Sequence, residues 1–312
     1  MHVKDSPITV CTVAPEDVAR LKGLGCLRDK TTADRFNCRV LTRNGKITAA
    51  ESHAIAEAAE RFGSGEVAMT TRQTVEIQGV PYENMDALQA FLAQHGLQTG
   101  GTGPRVRPVV SCKGTTCIYG LIDTYSLSRK LHDRFYEGYH GITLPHKFKI
   151  AVGGCPNNCV KPDLNDLGIV GQRMIRRDLS ACRGCKKCQV QLACPIKIAH
   201  TEDGCLVCDG CNNCGRCLGK CPFGVTDEYV DGYKVYIGGR WGKKTAQSRA
   251  LDRIFESEEE VLSVVETCIL LFREQGLPGE RFADTIGRIG FEAVQAQLLS
   301  DEILSRKEAI LK

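Results

Sequence analysis

The chain lacks several features that would assign it to other classes of protein. It contains no run of about 18 apolar residues, which excludes a transmembrane helix. The apolar patch at the N-terminus is interrupted by charges and by Pro7 and Pro15, so we do not expect a signal peptide. The net charge of +4 over 312 residues is too small to indicate binding to nucleic acid or to a membrane surface. No GxGxxG fingerprint lies in a strand–helix context, so we expect no NAD or flavin site.

Cysteine, by contrast, is abundant. The chain has 18 cysteines, and ten of them lie between Cys182 and Cys221. Disulfide scaffolds are short secreted domains, which does not describe this chain. Separations of mostly two residues arrange thiolates around an inorganic centre and are poor geometry for separate disulfides. We therefore expect clusters and a cytoplasmic, reducing, anaerobic setting.

Two cysteine runs in this segment follow the pattern of bacterial ferredoxins. The second run reads C-x2-C-x2-C-x3-C-P and ends at Pro222, and the first ends at Pro195 with five residues before its last cysteine. In two-cluster ferredoxins the fourth cysteine of each run binds the cluster of the other run. A pair of zinc ribbons is the alternative, and the role of Cys205 and Cys208 stays open, including a register that uses Cys208. The pattern predicts two [4Fe-4S] clusters, one on Cys182, Cys185, Cys188 and Cys221 and the other on Cys194, Cys211, Cys214 and Cys217.

Hydrophobic periodicity predicts an α+β fold. Residues 1–30 show no clear period, and from Asp34 the pattern is strand, helix, strand, strand, helix, which is most of a ferredoxin-like half domain. A glycine-rich linker leads to a second region, which closes with two amphipathic helices. This region carries two more cysteine pairs, which could hold a third [4Fe-4S] cluster or one zinc ion: Cys112 with Cys117, and Cys155 with Cys159. The expected domains are 1–100, then 101–178 with 228–312, and an inserted domain at 179–227.

Several motifs occur together that one known family shares. Over about residues 34–290 the chain resembles the sirohaem-dependent sulfite and nitrite reductases, through TTRQ at Thr70–Gln73, the two cysteine pairs, GGCPNNC followed by DLGIVG, and YIGGR. It is most similar to the small type with an inserted two-cluster ferredoxin, which occurs in the anaerobic sulfite reductases and in the dissimilatory sulfite reductases. The resemblance implies a ferredoxin-like half domain, a discontinuous sirohaem/[4Fe-4S] α/β domain, and the inserted ferredoxin domain.

The resemblance also implies one sirohaem and three [4Fe-4S] clusters. The two cysteine pairs would bind the cluster coupled to the sirohaem, with Cys159 as the bridging thiolate. The family's first pair is C-x5-C, whereas here it is C-x4-C, and we expect Gly114 to permit the tighter loop through unusual dihedral angles. Arg72 would pair with sirohaem carboxylates. The full set expected at the sirohaem is Thr70, Thr71, Arg72, Gln73, Asn157, Asn158 and Cys159.

A small dianionic substrate calls for cations in a dry pocket. Lys147 and Lys149 lie in LPHKFKIAV, which reads as a strand with both lysines on one face. By resemblance they bind substrate together with Arg39 and Arg107, and Arg105 competes with Arg107 for that assignment. The seven histidines show no metal-site spacing. We interpret Arg43, Lys46, Lys243 and Lys244 as surface charges, with contact to a haem carboxylate as the alternative for Lys243 and Lys244, which follow the GGR strand. We interpret His146 as structural, and Cys11, Cys26, Cys38 and Cys268 as buried small hydrophobic residues.

The resemblance implies a six-electron reduction of sulfite to sulfide at the sirohaem, with electrons relayed by the inserted ferredoxin. Reduction of nitrite to ammonia is one alternative. An iron–sulfur electron-transfer protein without working sirohaem is another alternative, and the shortened C-x4-C pair is the sequence feature that favours it. The expected partners are sulfite or another small oxyanion, an external protein donor (a ferredoxin or a reductase subunit), and a second copy or a homologous subunit.

Overall fold

The computed structural model describes residues 13–312, which divide into two compact units. The first unit comprises the chain up to Val110 together with His132–Lys147, and the second comprises Ser111–Leu131 together with Phe148–Lys312. Within residues 13–312, every helix is too short or too polar to cross a membrane.

The first unit is built on a four-stranded antiparallel sheet with strand order β1-β2-β4-β3. Its strands are β1 Cys26–Arg28, β2 Arg35–Val40, β3 Val67–Met69 and β4 Val75–Pro81. Its helices are α1 Pro15–Gly23, α2 Ala49–Phe62 and α3 Met85–Gln94, with a π-helical segment at His132–Glu137. The predicted series of strand, helix, strand, strand and helix is confirmed as β2, α2, β3, β4 and α3.

Sequence periodicity explains how this unit packs. Phe36, Cys38 and Val40 are buried on one face of β2, and the residues between them are half-buried. A capping box between Thr48 and Glu51 begins α2. Cys26, Cys38 and Cys268 are buried as expected, and Cys11 lies outside the described residues.

Residues 1–30 show no clear period in the sequence, and their described part nevertheless forms α1 and β1. Pro15 occupies the first turn of α1, acidic residues follow it, and basic residues close the helix, which are ordinary helix signals. β1 is only three residues long and exists because it pairs with β2. A strand of three residues is too short to show an alternating hydrophobic pattern in the sequence.

The second unit contains a mixed five-stranded sheet with strand order β11-β10-β7-β6-β5. β6 and β7 are parallel, and β10 is antiparallel to both β7 and β11. The strands are β5 Val110–Ser111, β6 Ile150–Gly153, β7 Leu167–Arg176, β10 Glu228–Ile237 and β11 Arg249–Phe255. The helices outside the insert are α4 Thr124–Leu131, α6 Glu258–Gln275, α7 Phe282–Ile289, α8 Phe291–Leu298, α9 Glu302–Ser305 and α10 Lys307–Leu311.

Helix α6 forms the centre of this unit, because nearly every residue from Val261 to Phe272 is buried. Phe148, Phe272 and Phe282 pack with ring centroids 5.3 to 5.9 Å apart. The final amphipathic stretch, expected to be one helix, is three short helices. The first break precedes Glu302, where the Ser300 hydroxyl competes with the helical backbone by donating to the carbonyl of Gln297 at 3.0 Å, and the second lies at Arg306.

The insert between β7 and β10 contains little regular structure, namely α5 Gln189–Ala193 and the hairpin of β8 His200–Glu202 and β9 Cys205–Val207. Its small hydrophobic core consists of Val190, Ala199, Leu206 and Val225. The cysteines pack around this core, so the ordering of the segment depends on thiols more than on apolar area.

Candidate functional site

The two cysteine pairs meet beside the sheet of the second unit. Cys112 follows β5, and its N–H donates to the carbonyl of Val152 in β6 at 3.0 Å, while Cys155 lies two residues beyond β6. Burial raises the pKa of the Cys155 thiol, and the nearby thiols of Cys112, Cys159 and Cys117 raise it further. The structure therefore brings together four thiols that are separated by up to 47 residues in the chain. We call them the paired cysteines.

Two glycines allow this approach. A Cβ on Gly154 would lie 2.8 Å from Cα of Gly114, and a Cβ on Gly114 would lie 2.9 Å from Cα of Gly154. The N–H of Gly154 donates to Sγ of Cys112 at 3.1 Å. The φ angle of Gly114 lies outside the left-handed region, so the expectation of unusual dihedrals is wrong. The shortened loop closes instead through a 3-10 turn at Gly114–Thr116 and through close backbone contact.

The second insert set, which comprises Cys194, Cys211, Cys214 and Cys217, lines one cavity with apolar walls that include Pro195 and Ile196. Burial raises the pKa of Cys217 to about 11, and the neighbouring thiols contribute. Cys208 lines the same cavity as a fifth thiol, beside the four cysteines predicted to bind one cluster. From the first insert set, Cys182, Cys188 and Cys221 pack against the insert core.

Apart from the cysteines, His132, Asp133 and Glu137 in the first unit place three ligand atoms within 4.8 Å of one another, a group that the sequence analysis did not identify. His132 is fully buried and stacks on Tyr136, whereas both acids are exposed. The π-helical turn brings the three together, and H-D-x3-E is not a familiar ligand spacing. Exposed acids of this kind are common on protein surfaces without a metal.

The arginines expected at the anion site have partners within the first unit. Nε of Arg39 donates to Glu76 at 3.0 Å across β2 and β4. The guanidinium of Arg107 donates to the carbonyl of Gly101, and the carbonyl of Arg39 accepts from the N–H of Gly100 at 2.9 Å. Both arginines therefore border the glycine linker. Arg105 instead donates to the carbonyl of His140 at 3.1 Å.

Lys147 and Lys149 are half-buried on either side of the buried Phe148, as the alternation predicted. The strand begins only at Ile150, so the expectation of a strand through both lysines is wrong. The reason is that the N–H of Lys149 donates to the carboxylate of Asp166 at 2.9 Å rather than to a neighbouring strand.

Asp166 is a positioning residue that the sequence reading missed. It is fully buried, and Arg281 donates to both of its oxygens at 2.8 Å. Burial raises the pKa of Asp166, and the positive charge of Arg281 opposes that rise. The only signal in the sequence is an acid inside the apolar string NDLGIVG. This ion pair anchors the backbone that carries Lys149.

The TTRQ motif forms the turn between β3 and β4. The hydroxyls of Thr70 and Thr74 lie 2.7 Å apart, Gln73 has a φ of 56°, and the hydroxyl of Thr42 donates to the carbonyl of Gln73. Arg72 is half-buried on this turn, while Thr71, Asn157 and Cys159 are exposed.

The other basic residues divide into two groups. Lys46, Lys243 and Lys244 are exposed, as expected. Arg43, also interpreted as a surface charge, is half-buried and bound to Glu51. The Nδ1 atom of His146 accepts from the N–H of Lys147 at 2.8 Å, which is a structural role.

Comparison with known proteins accounts for this arrangement. Residues 102–307 match the family described as "Nitrite and sulphite reductase 4Fe-4S domain", and residues 28–95 match "Nitrite/Sulfite reductase ferredoxin-like half domain". The chain belongs to the nitrite and sulfite reductase family. It is therefore an oxidoreductase with an α+β fold that carries a 4Fe-4S domain, and the resemblance drawn from its motifs is confirmed.

The chain is similar to three known proteins. An uncharacterised protein of Methanocaldococcus jannaschii is 32% identical over 259 residues, which cover 83% of this chain and 89% of the relative. Coenzyme F420-dependent sulfite reductase of the same organism is 29% identical over 77% of this chain, and the match spans only 38% of that larger protein. The crystal structure of dissimilatory sulfite reductase I superposes with a TM-score of 0.67 at 22% identity, covering 85% of this chain and 69% of that one.

Proposed function

We propose that the chain is the catalytic subunit of a sirohaem-dependent sulfite reductase that makes sulfide. The observation that carries this proposal is the convergence of the four paired cysteines on two adjacent loops. A carrier protein without a catalytic centre would not need this third cysteine set. The shortened C-x4-C pair, which motivated that alternative, still places Cys117 near enough to Cys155 to raise the pKa of its thiol, which supports the catalytic proposal.

The residues present fit the expected cofactors. Cys155 is half-buried whereas Cys159 and Asn157 are exposed, so one side of the paired cysteines opens outward, as a bridging thiolate requires. We propose that the TTRQ turn together with Asn157 and Asn158 holds the sirohaem, with Arg72 pairing with its carboxylates. When bound, the sirohaem supplies the iron at which the oxyanion is reduced and a store of electrons for that reaction.

The chain's own contribution is to bind the anion and to hold protons near it. We propose these roles for Arg39, Arg107, Lys147 and Lys149. The lysines suit proton donation, because an ammonium carries three donors and can release a proton when desolvated. The charge of Arg39 is already neutralised by Glu76, so we expect Arg39 to orient the bound anion more than to attract it by net charge.

We also propose three [4Fe-4S] clusters, with electrons entering through the insert from a protein donor. A second copy or a homologous subunit would complete the assembly. Nitrite remains the second candidate substrate, since the family includes reductases of both anions.

The first experiment is anaerobic purification, followed by iron analysis and an optical spectrum of pigment extracted into acid acetone. We expect sirohaem and about thirteen irons per chain, from three four-iron clusters and one haem iron. About eight irons without a tetrapyrrole would reject the proposal.

Turnover then tests the substrate. We expect Lys147→Ala and Lys149→Ala each to lower sulfite reduction about a hundredfold, with cofactor content unchanged. Lys46→Ala, which removes an exposed lysine that no prediction places at the sirohaem, is the matched control. Faster turnover of nitrite than of sulfite would assign the second substrate instead.

A further inference from the structure

One face of strand β7 is turned toward the second insert set. Arg173 and Ile175 alternate along the strand, Arg177 follows directly after its end, and all three line the cavity of this set. The N–H of Arg173 donates to the carbonyl of Asn213 at 2.7 Å, and a Cβ on Gly215 would lie 2.6 Å from Cδ of Arg173. The strand and the loop that carries the thiols are therefore in direct contact.

The two arginines on this face differ in how their charge is balanced. The guanidinium of Arg173 donates to both carboxylate oxygens of Asp231 at 2.7 Å, so an adjacent acid neutralises it. Within residues 13–312, Arg177 forms no ion pair, and its buried Nε has no hydrogen-bond partner. An arginine stays protonated over the whole working pH range of a protein. Arg177 therefore contributes a permanent positive charge that no carboxylate of the described chain balances.

The charge of Arg177 acts on the thiols of the insert. Burial raises the pKa of the Cys208 thiol, and the positive charge of Arg177 opposes that rise. The thiols of Cys211, Cys194 and Cys188 raise the pKa of Cys208 further, so this thiol lies among the other cysteines of the insert. A guanidinium that favours a thiolate here favours negative charge on a group bound in the same place.

A [4Fe-4S] cluster held by four thiolates is anionic, and its reduction adds one more negative charge. Apolar surroundings oppose that addition, and the walls of this cavity include Ile175, Pro195 and Ile196. A nearby positive charge has the opposite effect, because its attraction for the cluster grows when the cluster gains an electron. Salt screens this attraction less at a half-buried site than at the protein surface.

We propose that Arg177 raises the reduction potential of the cluster bound by the second insert set, and so makes this cluster easier for the protein donor to reduce. The inference rests on the part of the proposed function that puts a cluster on this set, and it adds a residue that tunes the cluster without binding it. The step is a one-electron reduction of the cluster, and the protein donor is oxidised by the same electron. No covalent bond forms or breaks, and Arg177 keeps its proton throughout.

Other basic residues of the insert are less suited to this role. Arg183, Lys186 and Lys187 lie between the cysteines of the first insert set, but they are exposed, so water and salt screen their charge. Arg216 lines the cavity of the second set, but it too is exposed. Among the three arginines that line this cavity within residues 13–312, only Arg177 is both half-buried and without an acidic partner.

The test is an EPR-monitored redox titration of the anaerobically purified holoprotein. In Arg177→Gln, the ratio of reduced to oxidised second insert cluster at a given potential should fall about tenfold, which is about 59 mV for a one-electron couple. The signal of this cluster is the one that is missing in Cys211→Ala. Arg177→Lys keeps the charge and should restore most of the wild-type ratio. Iron and sirohaem content should match wild type in both arginine variants.

Arg176→Gln is the matched control. Arg176 is the preceding residue, lies on the opposite face of β7 and is exposed, so this variant removes the same charge from the same strand where solvent screens it. The ratio should change less than about twofold in this control. In Arg177→Gln the signals of the other clusters should move less than that of the second insert cluster.

Three results would overturn the inference. They are a wild-type ratio in Arg177→Gln, an equal shift in Arg176→Gln, and a shift in Arg177→Lys as large as in Arg177→Gln, which would show that side-chain shape matters and charge does not. If Arg177→Gln loses iron, Arg177→Met is titrated in its place, and loss of iron in both variants would overturn the inference by assigning Arg177 to the folding of the insert.

Failure of the proposed function would look different. Wild-type protein with about eight irons and no tetrapyrrole would reject the catalytic role. The same titration of the second insert cluster would then still decide whether Arg177 tunes it.

Discussion

One added methyl group at Gly154 should empty a single cluster site. In Gly154→Ala the new Cβ would lie 2.8 Å from Cα of Gly114, 3.2 Å from Cγ2 of Thr124 and 3.4 Å from Sγ of Cys112. The shortest contact is between two backbones, so one loop has to move. Because the φ angle of Gly154 is outside the left-handed region, overpacking is the only cost, about 1–3 kcal/mol.

This cost is smaller than the total stability of a folded domain, about 5–15 kcal/mol, so the variant should still fold. The effect on the cofactor is larger than the effect on stability. The N–H of Gly154 donates to Sγ of Cys112 at 3.1 Å, and the displaced loop therefore shifts this thiol from the other three. We expect loss of about four cluster irons and of the sirohaem, with about eight irons kept in the insert.

The assay is iron analysis, EPR and an optical spectrum of anaerobically purified protein, together with its chemical unfolding midpoint. Gly242→Ala is the matched control, since a Cβ there has nothing within 4 Å. Full iron and sirohaem content in Gly154→Ala, at the wild-type unfolding midpoint, would refute the reasoning.

Three further predictions concern stability and cluster ligation. Asp166→Asn removes the charge that pairs with the buried Arg281 and should lower the free energy of unfolding by about 3–5 kcal/mol in a denaturant titration. The control is Asp284→Asn, at the more exposed pair with Arg240, which should change that free energy by less than about 1 kcal/mol. The hydrogen bond from Arg288 lowers the pKa of Glu280 from 4.5 to about 2, so the stability from this pair is present above pH 4.5 and is lost as the pH falls toward 2. Glu280→Gln should flatten that part of the pH profile of the unfolding midpoint, and a profile as steep as wild type would contradict the assignment. A [4Fe-4S] cluster takes four thiolates, so Cys208→Ala should keep its full iron content while Cys211→Ala loses about four irons, and the opposite result would move Cys208 into the ligand set.

Local residue patterns were sufficient to predict much of this protein. Spacings such as C-x2-C-x2-C-x3-C-P predict cluster ligands, because much of the ligand geometry is set by residues close in the chain. Hydrophobic periodicity predicted β2, α2 and α3, and the set of motifs identified the family. The proline and acidic residues in the first turn of α1, together with the basic residues in its last turn, would also have predicted this helix, which the sequence analysis did not identify.

Only the tertiary structure decided features that depend on distant residues. The contact between Gly114 and Gly154 explains how a C-x4-C loop still supplies Cys117, and no pattern within either loop shows it. The N–H of Lys149 donates to Asp166, so the strand begins only at Ile150, and the residue that holds Asp166 lies 115 residues further along the chain. Such sites arise from packing between segments, and therefore leave no periodic trace in the sequence.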